Sequence, residues 1–293
     1  MTFRTTWSGP KSALDQAEMV LTEIIDPPVD AASLVRNDDG SGDPADAPWL
    51  LHAYTESSLN EQITEMLPRE IVLQACEELE DRDWVAHSLE GLGVIKAGKF
   101  VLFGSHDRES VTSDHGIKLQ IEANRAFGTG HHPTTAGCLE TISTLSNLHP
   151  AAVLDLGTGS GVLALAAKAL WPGARVVATD IDAPSIEIAK EHGQINSISD
   201  VTWGVADGTK SGLIQQGTPY ALVLANILAG PLQELAADIR DVLTETGHVI
   251  LAGLLDEQYN DVLNTYRRLG FALRHKGGTE RWPTLLLQRE TSQ

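Results

Sequence analysis

From residue 152 onward the chain alternates between two hydrophobic rhythms. Ala152–Leu156, Val176–Asp180, Val201–Val205, Tyr220–Ala225 and Val249–Leu254 are short apolar runs that read as strands. Between them, Val162–Trp171, Pro184–Asn196, Pro231–Leu243 and Glu257–Leu269 show a helical period. Two of these helices carry clear apolar stripes: Leu232, Leu235, Ala236, Ile239 and Leu243 in one, and Tyr259, Val262, Leu263, Tyr266 and Leu269 in the other. Alternation of this kind predicts a mostly parallel sheet with helices on both faces. Two further strands, Phe271–Arg274 and Thr284–Gln288, follow with no helix between them. Strands joined so closely are antiparallel, so a reversed hairpin is expected at one end of a seven-stranded sheet.

The first third has a different pattern. Phe3 to Trp7 predicts a strand closed by Gly9-Pro10. Leu14, Ala17, Leu21, Ile24 and Ile25 then share one helix face, and Pro27-Pro28 stops that helix. Ala32 to Val35 and Trp49 to Tyr54 read as strands around a polar loop, Asn37–Pro48. Leu59, Ile63, Met66 and Leu67 mark a second helix. The order βαββα, with room for a final strand that the pattern does not place, resembles a small ferredoxin-like α+β module. Residues 69–93 read as helical and then irregular, with an acidic run from Glu77 to Asp83. The expected organisation is therefore a small domain over 1–82, a linker over 83–95 and an α/β domain over 96–293.

A length of 293 residues fits either one large domain or two of unequal size, so it does not contradict that division. Charge sharpens it. Of a net −19, residues 1–95 carry 5 basic and 19 acidic side chains, a balance of −14. Such a segment repels nucleic acid and suits a basic partner, and solubility alone would also account for it. The only cysteines, Cys76 and Cys138, stand 62 residues apart, which excludes a disulfide scaffold and disfavours a zinc cluster. Asp15, Glu18, Glu23 and Asp26 interrupt the place where a signal peptide would be apolar. Nor does any stretch approach the roughly 20 apolar residues of a membrane span. A cytoplasmic protein is expected.

The strongest chemical signal is Val153-Leu154-Asp155-Leu156-Gly157-Thr158-Gly159-Ser160-Gly161, an apolar strand running into a glycine turn and then a helix. Glycines allow close approach of backbone to ligand, and a helix N-terminus offers N–H groups. A dinucleotide site would place its third glycine where Val162 stands, which disfavours an NAD-dependent dehydrogenase. The G-x-G-x-G spacing after an acid is the pattern of class I methyltransferases, where it holds the amino-acid part of S-adenosylmethionine. Asp180 ends the next strand and can accept hydrogen bonds from a ribose diol. Spacing alone also allows Asp182. Asp180 is favoured because it continues the strand, whereas Asp182 suits a helix cap before Pro184. Asn226 stands where a later strand ends, at the edge where open parallel sheets bind ligands. Asp207 follows the third strand, and its position suggests the adenine amino group. Upstream, Ala126-Phe127-Gly128-Thr129-Gly130-His131-His132-Pro133-Thr134-Thr135 precedes a helix. Adjacent histidines seldom converge on one metal ion, and the Lys of a Walker motif is missing. A glycine-hinged loop over a cofactor, with Thr135 giving a hydroxyl contact, is the third reading.

Together, the 126–135 string, the Asp155–Gly161 loop and Asn226-Ile227-Leu228-Ala229-Gly230-Pro231-Leu232 resemble the bacterial ribosomal protein L-eleven (L11) methyltransferases. The first and last strings are specific to that family, whereas the glycine loop is shared by many methyltransferases. The resemblance implies a class I methyltransferase, Rossmann-like α/β fold preceded by a small substrate-recognition domain. It also implies transfer of methyl groups from S-adenosylmethionine, leaving S-adenosylhomocysteine, to lysine side chains and the N-terminal amine of L11. Matched residue by residue, its cofactor contacts fall on Thr135, Gly157, Asp180 and Asn226. Phe127, Gly128, Thr129, Gly159 and Asp207 complete the expected cofactor-binding set, with no metal and no obligatory catalytic base. Methyltransferases of nucleic acid or of release-factor glutamine usually carry Asn-Pro-Pro-Tyr where this chain has Asn226-Ile227-Leu228-Ala229, and the aromatic for stacking a flipped base is missing. A non-catalytic cofactor binder is the remaining alternative. The protein substrate is the expected partner, with no nucleic acid or membrane, and a monomer is expected because nothing demands a partner subunit. The segment Asn37–Pro48 makes the N-terminal part longer than compact family versions.

Overall fold

A computed structural model describes residues 2–24, 29, 31–36, 49–55, 66–79, 93–108, 110–111, 116–122 and 132–290. The chain divides into two compact units, residues 1–91 and 92–293. The expected linker over 83–95 lies mostly outside the described residues, and Ile95 already begins a strand of the second unit.

In the first unit, strands β1 (Thr2–Gly9), β2 (Ala31–Arg36), β3 (Trp49–Thr55) and β4 (Val72–Leu79) form a sheet of order β2-β3-β1-β4. Every neighbouring pair is antiparallel, which is the ferredoxin-like arrangement. Helix α1 (Lys11–Met19) puts Leu14 and Ala17 into a core with Trp7, Leu21, Leu51, Ala53 and Leu67. The second predicted helix falls mainly on residues outside those described; of its stripe, Leu67 is buried but Met66 is 52% exposed.

Strand β4 corrects the helical reading of residues 69–93. Positions 72–74 and 76–78 are all exposed, so neither face of this edge strand supplies the alternation by which strands are recognised. Its place is set by the pairing with β1 and by the Arg4–Glu77 ion pair at 2.7 Å.

The second unit opens with a small sheet, β5 (Ile95–Ala97), β6 (Phe100–Phe103) and β7 (Ile117–Gln120), which the sequence reading did not resolve. After helix α2 (Pro133–Thr144) come β8 (Ala152–Leu156), α3 (Val162–Leu170), β9 (Arg175–Asp180), α4 (Ala183–Ile195) and β10 (Val201–Val205). A short α5 (Gly212–Gln215) leads to β11 (Tyr220–Asn226). The helix expected over 231–243 is two pieces, α6 (Ala229–Glu234) and α7 (Ala236–Val242), and β12 (Leu243–Ala252) starts earlier than its apolar run implied. The chain ends with α8 (Asp256–Arg268), β13 (Phe271–Gly278) and β14 (Pro283–Arg289).

The large sheet has the order β10-β9-β8-β11-β12-β14-β13. Strand pairs are parallel from β10 to β12. The hairpin is antiparallel as expected, but β14 inserts between β12 and β13, so a single strand is reversed. Side chains alternate between two cores: Val153, Val176, Leu222 and Ile250 on one face, and Leu154, Val177, Val223 and Leu251 on the other. Because both faces are covered by apolar layers, the strands read as continuous apolar runs in sequence. The order reverses between β8 and β11, and ligands of open parallel sheets bind at the carboxyl ends of such a switch point.

Candidate functional site

The turn from β8 into α3 is held largely by its own protein. Gly157 and Thr158 donate their N–H groups to the Thr179 carbonyl at 2.8 and 2.9 Å, and Gly161 donates to the Thr158 carbonyl at 2.9 Å. Gly159 donates to the Asp180 carboxylate at 2.8 Å. These glycine amides are spent within the protein and preorganise the loop. Gly157 and Gly161 have φ of 72° and 84°, where an L side chain is strained. A Cβ on Gly157 would also collide with Ile227, and one on Gly161 would come within 2.8 Å of Ala189 on α4.

Asp155 anchors this turn from below. It is 1% exposed, and one carboxylate oxygen accepts from the Thr158 hydroxyl at 2.6 Å and the Ala164 N–H at 3.0 Å. It thus caps α3, whose N-cap residue, Gly161, has no side chain to do so. Burial pushes the Asp155 carboxyl up to about 7, against the lowering effect of those two donors, and the charge of Asp180 adds to the rise.

Asp180 and Asp182 separate cleanly. Asp180 lies at the carboxyl end of β9, where one oxygen accepts from Gly159 and the other from the Asp182 N–H at 3.0 Å. Each oxygen has two acceptor sites, so capacity for further donors remains. Asp182 is the N-cap of α4, accepting from the Ser185 N–H at 2.9 Å and the Ser185 hydroxyl at 2.7 Å. Asn226 ends β11, and its amide donates to the Thr135 hydroxyl on α2 at 3.4 Å. The Asn226 Oδ1 is buried with no hydrogen-bond partner among the described residues.

These residues converge on one cavity of about 420 Å³. Thr135, Gly157, Gly159, Asp180, Asp207 and Asn226 all line it, although 91 residues separate Thr135 from Asn226. Phe127, Gly128 and Thr129 lie outside the described residues. Sequence reasoning missed the apolar rim. Ile181 and Leu228 line the same cavity while 71% and 59% exposed. Their signal was an apolar side chain placed just past a polar strand end, where a turn would ordinarily be polar. His132, weighed above as a metal ligand, caps α2: its Nδ1 is 2.7 Å from the Thr134 hydroxyl, and its ring meets Trp282 edge-on at 4.7 Å. Burial, aided by the charge of Arg281, pushes this imidazole down to about 4.

A family model described as ribosomal protein L11 methyltransferase (PrmA) matches residues 45–290, about half of the first unit and nearly all of the second. The chain belongs to the ribosomal protein L11 methyltransferase family. Among curated relatives, a ribosomal protein L11 methyltransferase of Bradyrhizobium diazoefficiens is 41% identical and aligns over 98% of each chain. One of Brucella suis is 44% identical over 72% of this chain and 74% of its own. Among solved structures, the ribosomal protein L11 methylase of Lactobacillus delbrueckii subsp. bulgaricus aligns with a TM-score of 0.55 at 28% identity, covering 68% of this chain and 99% of that one. Membership extends across the acidic N-terminal unit as well as the sheet, so both belong to the L11 methyltransferase architecture. Among the described residues, no helix is long and apolar enough to cross a membrane.

Proposed function

We propose that this protein methylates ribosomal protein L11, taking methyl groups from S-adenosylmethionine and delivering them to lysine side chains and the N-terminal amine. The observation that carries the donor assignment is the convergence of Gly157, Gly159, Asp180 and Asn226 on one cavity at the sheet's switch point. The residues present fit that donor. The Asp180 carboxylate has acceptor capacity for a ribose diol, Asp207 stands on the wall suited to an adenine amino group, and the Asn226 Oδ1 is a buried acceptor in need of an N–H. Bound there, the sulfonium supplies an electrophilic methyl group.

The chain's own task is to present an uncharged amine. A lysine ammonium has no lone pair, and removing its proton at pH 7 costs roughly 4–5 kcal/mol against a reference pKa of about 10.4. Ile227, Leu228 and Pro231 line the cavity beside Asn226, and their apolar surface disfavours a charged ammonium. The Asn226 Oδ1 has two lone pairs, so beside its part in holding the donor it has capacity to accept an amine N–H and orient the nitrogen. Proximity and alignment then supply most of the acceleration, with no obligatory general base. The protein works in the cytoplasm as a monomer. The acidic N-terminal unit, with 19 acidic against 5 basic side chains through residue 95, serves as the docking surface for a basic substrate.

The test is incubation of the purified protein with methyl-labelled S-adenosylmethionine and a ribosomal-protein extract, followed by intact-mass and fragment analysis. The expected result is label on L11, in whole methyl increments at lysines and the N-terminus. Label confined to another protein, or no transfer at all, would overturn the assignment.

A further inference from the structure

At the C-terminal end of helix α4, His192 and the C-cap residue Asn196 have different targets. His192 is 1% exposed. Its Nδ1 lies 2.8 Å from the Ser160 carbonyl oxygen, and the Glu122 backbone N–H donates to its Nε2 at 3.0 Å. A carbonyl only accepts and an amide N–H only donates. Both bonds therefore require the neutral tautomer that carries its proton on Nδ1. Asn196, one turn further on, pairs with Gln120 in both directions, at 2.7 and 2.8 Å, and also donates to the His192 carbonyl. The two side chains thus secure the outer edge of β7 and the residues just after it, but only His192 reaches across to the glycine loop.

We propose that His192 is a positioning residue for the donor-binding loop: its bond to Ser160 fixes the backbone between Gly159, which Asp180 grips, and Gly161, which packs on α4. The proposal rests on the reading that this loop serves S-adenosylmethionine. From the side of β8 and β9, the loop is fixed by Asp155, Thr179 and Asp180. His192 supplies the hold from the opposite side. Burial lowers the pKa of this imidazole against the pull of the Ser160 carbonyl and of the nearby charges of Glu122 and Glu191. Protonation would replace the Nε2 acceptor with a donor facing the Glu122 N–H and would break the bridge.

The experiment titrates S-adenosylmethionine calorimetrically into the full-length protein and three variants, with the thermal midpoint of each recorded. His192→Phe keeps an aromatic ring but loses both bonds; His192→Gln keeps one donor and one acceptor and has no proton to gain; Asn196→Ala loosens β7 without touching Ser160. Loss of the loop bond is expected to weaken donor binding about tenfold in His192→Phe, with His192→Gln and Asn196→Ala within about twofold of the parent. Affinities that simply follow the thermal midpoints across all three variants would overturn the positioning role. Should His192→Phe fail to fold, the comparison of the parent with His192→Gln decides. The parent should lose affinity relative to His192→Gln as pH falls below the ordinary imidazole value of 6.5. Asp155 is common to both proteins and cancels in that difference. Parallel profiles would overturn the proposal. A parent protein that binds no S-adenosylmethionine would instead defeat the donor-site reading on which the proposal stands.

Discussion

Asp180 and Asp182 are two identical side chains two positions apart, separated in role by what each already holds. Asp182 spends one oxygen on the Ser185 N–H and hydroxyl, the ordinary work of an N-cap. Asp180 steadies Gly159 and still faces the cavity. Replacing Asp180 by alanine should cost about 1.5–3 kcal/mol of donor affinity, or about ten- to a hundredfold, while the fold survives. Asp182→Ala should leave affinity within about twofold and remove about 1 kcal/mol of stability, because it loses only a cap. Calorimetry on both variants, alongside urea unfolding, checks the pair, and the reverse ranking would assign the ribose to the wrong acid. Sequence spacing could not separate these two residues. The hydrogen bonds do.

At the scale of elements, the junction of β8, the glycine turn and α3 depends on a buried carboxyl. The folded-state pKa of Asp155 is raised from 3.8 to about 7. A raised pKa means that the folded protein holds a proton which the unfolded chain releases earlier. Its stabilising contribution is complete below about pH 4 and is lost as pH rises through about 7. Asp155→Asn preserves an acceptor for the Ala164 N–H and abolishes the titration. Unfolding measured at pH 5 and at pH 8 should therefore show the parent losing on the order of a few kcal/mol relative to the asparagine variant. Equal losses in both proteins would mean that the carboxyl does not titrate in this range. Strand β4 teaches a different lesson at this scale. An element exposed on both faces has no hydrophobic period to read, and only its pairing with β1 makes it a strand.

For the molecule as a whole, the division of charge predicts a division of labour. Among the described residues, the cavity proposed for the donor is lined from Thr135 to Leu235, in the second unit, while the densest acidic segment lies in the first. A protein beginning near Val94 should bind S-adenosylmethionine with near-normal affinity yet fail to methylate intact L11, because contacts remote from the reacting amine position it. Cofactor binding and methyl incorporation measured on the same folded truncation test this. Full activity would remove substrate docking from the N-terminal unit, and loss of both properties would show that the units are not separable. Docking between an acidic surface and a basic substrate also predicts that full-length activity falls as salt rises from about 0.05 to 0.5 M, through KM more than kcat. An activity indifferent to salt would leave the acidic surface with solubility alone.

The apolar runs alone specify the large sheet and the turns at the carboxyl ends of its strands. Strands covered on both faces must be apolar throughout, and the turns Asp155–Gly161, Asp180 and Asn226-Ile227-Leu228 punctuate those runs where the chain leaves the sheet. The βαββ start of the small unit was equally legible, because α1 and the strands around it bury one face. The rest came from how the elements pack. Packing set β14 between β12 and β13, since local pattern encodes the direction of a hairpin but not which of its strands sits nearer the sheet. It brought Thr135 to Asn226 across 91 residues and turned the glycine amides inward. It also joined His192 to Ser160 over 32 residues. Periodicity records whether a residue is buried. Which partner it meets there depends on how separate elements pack, and no local pattern carries that information.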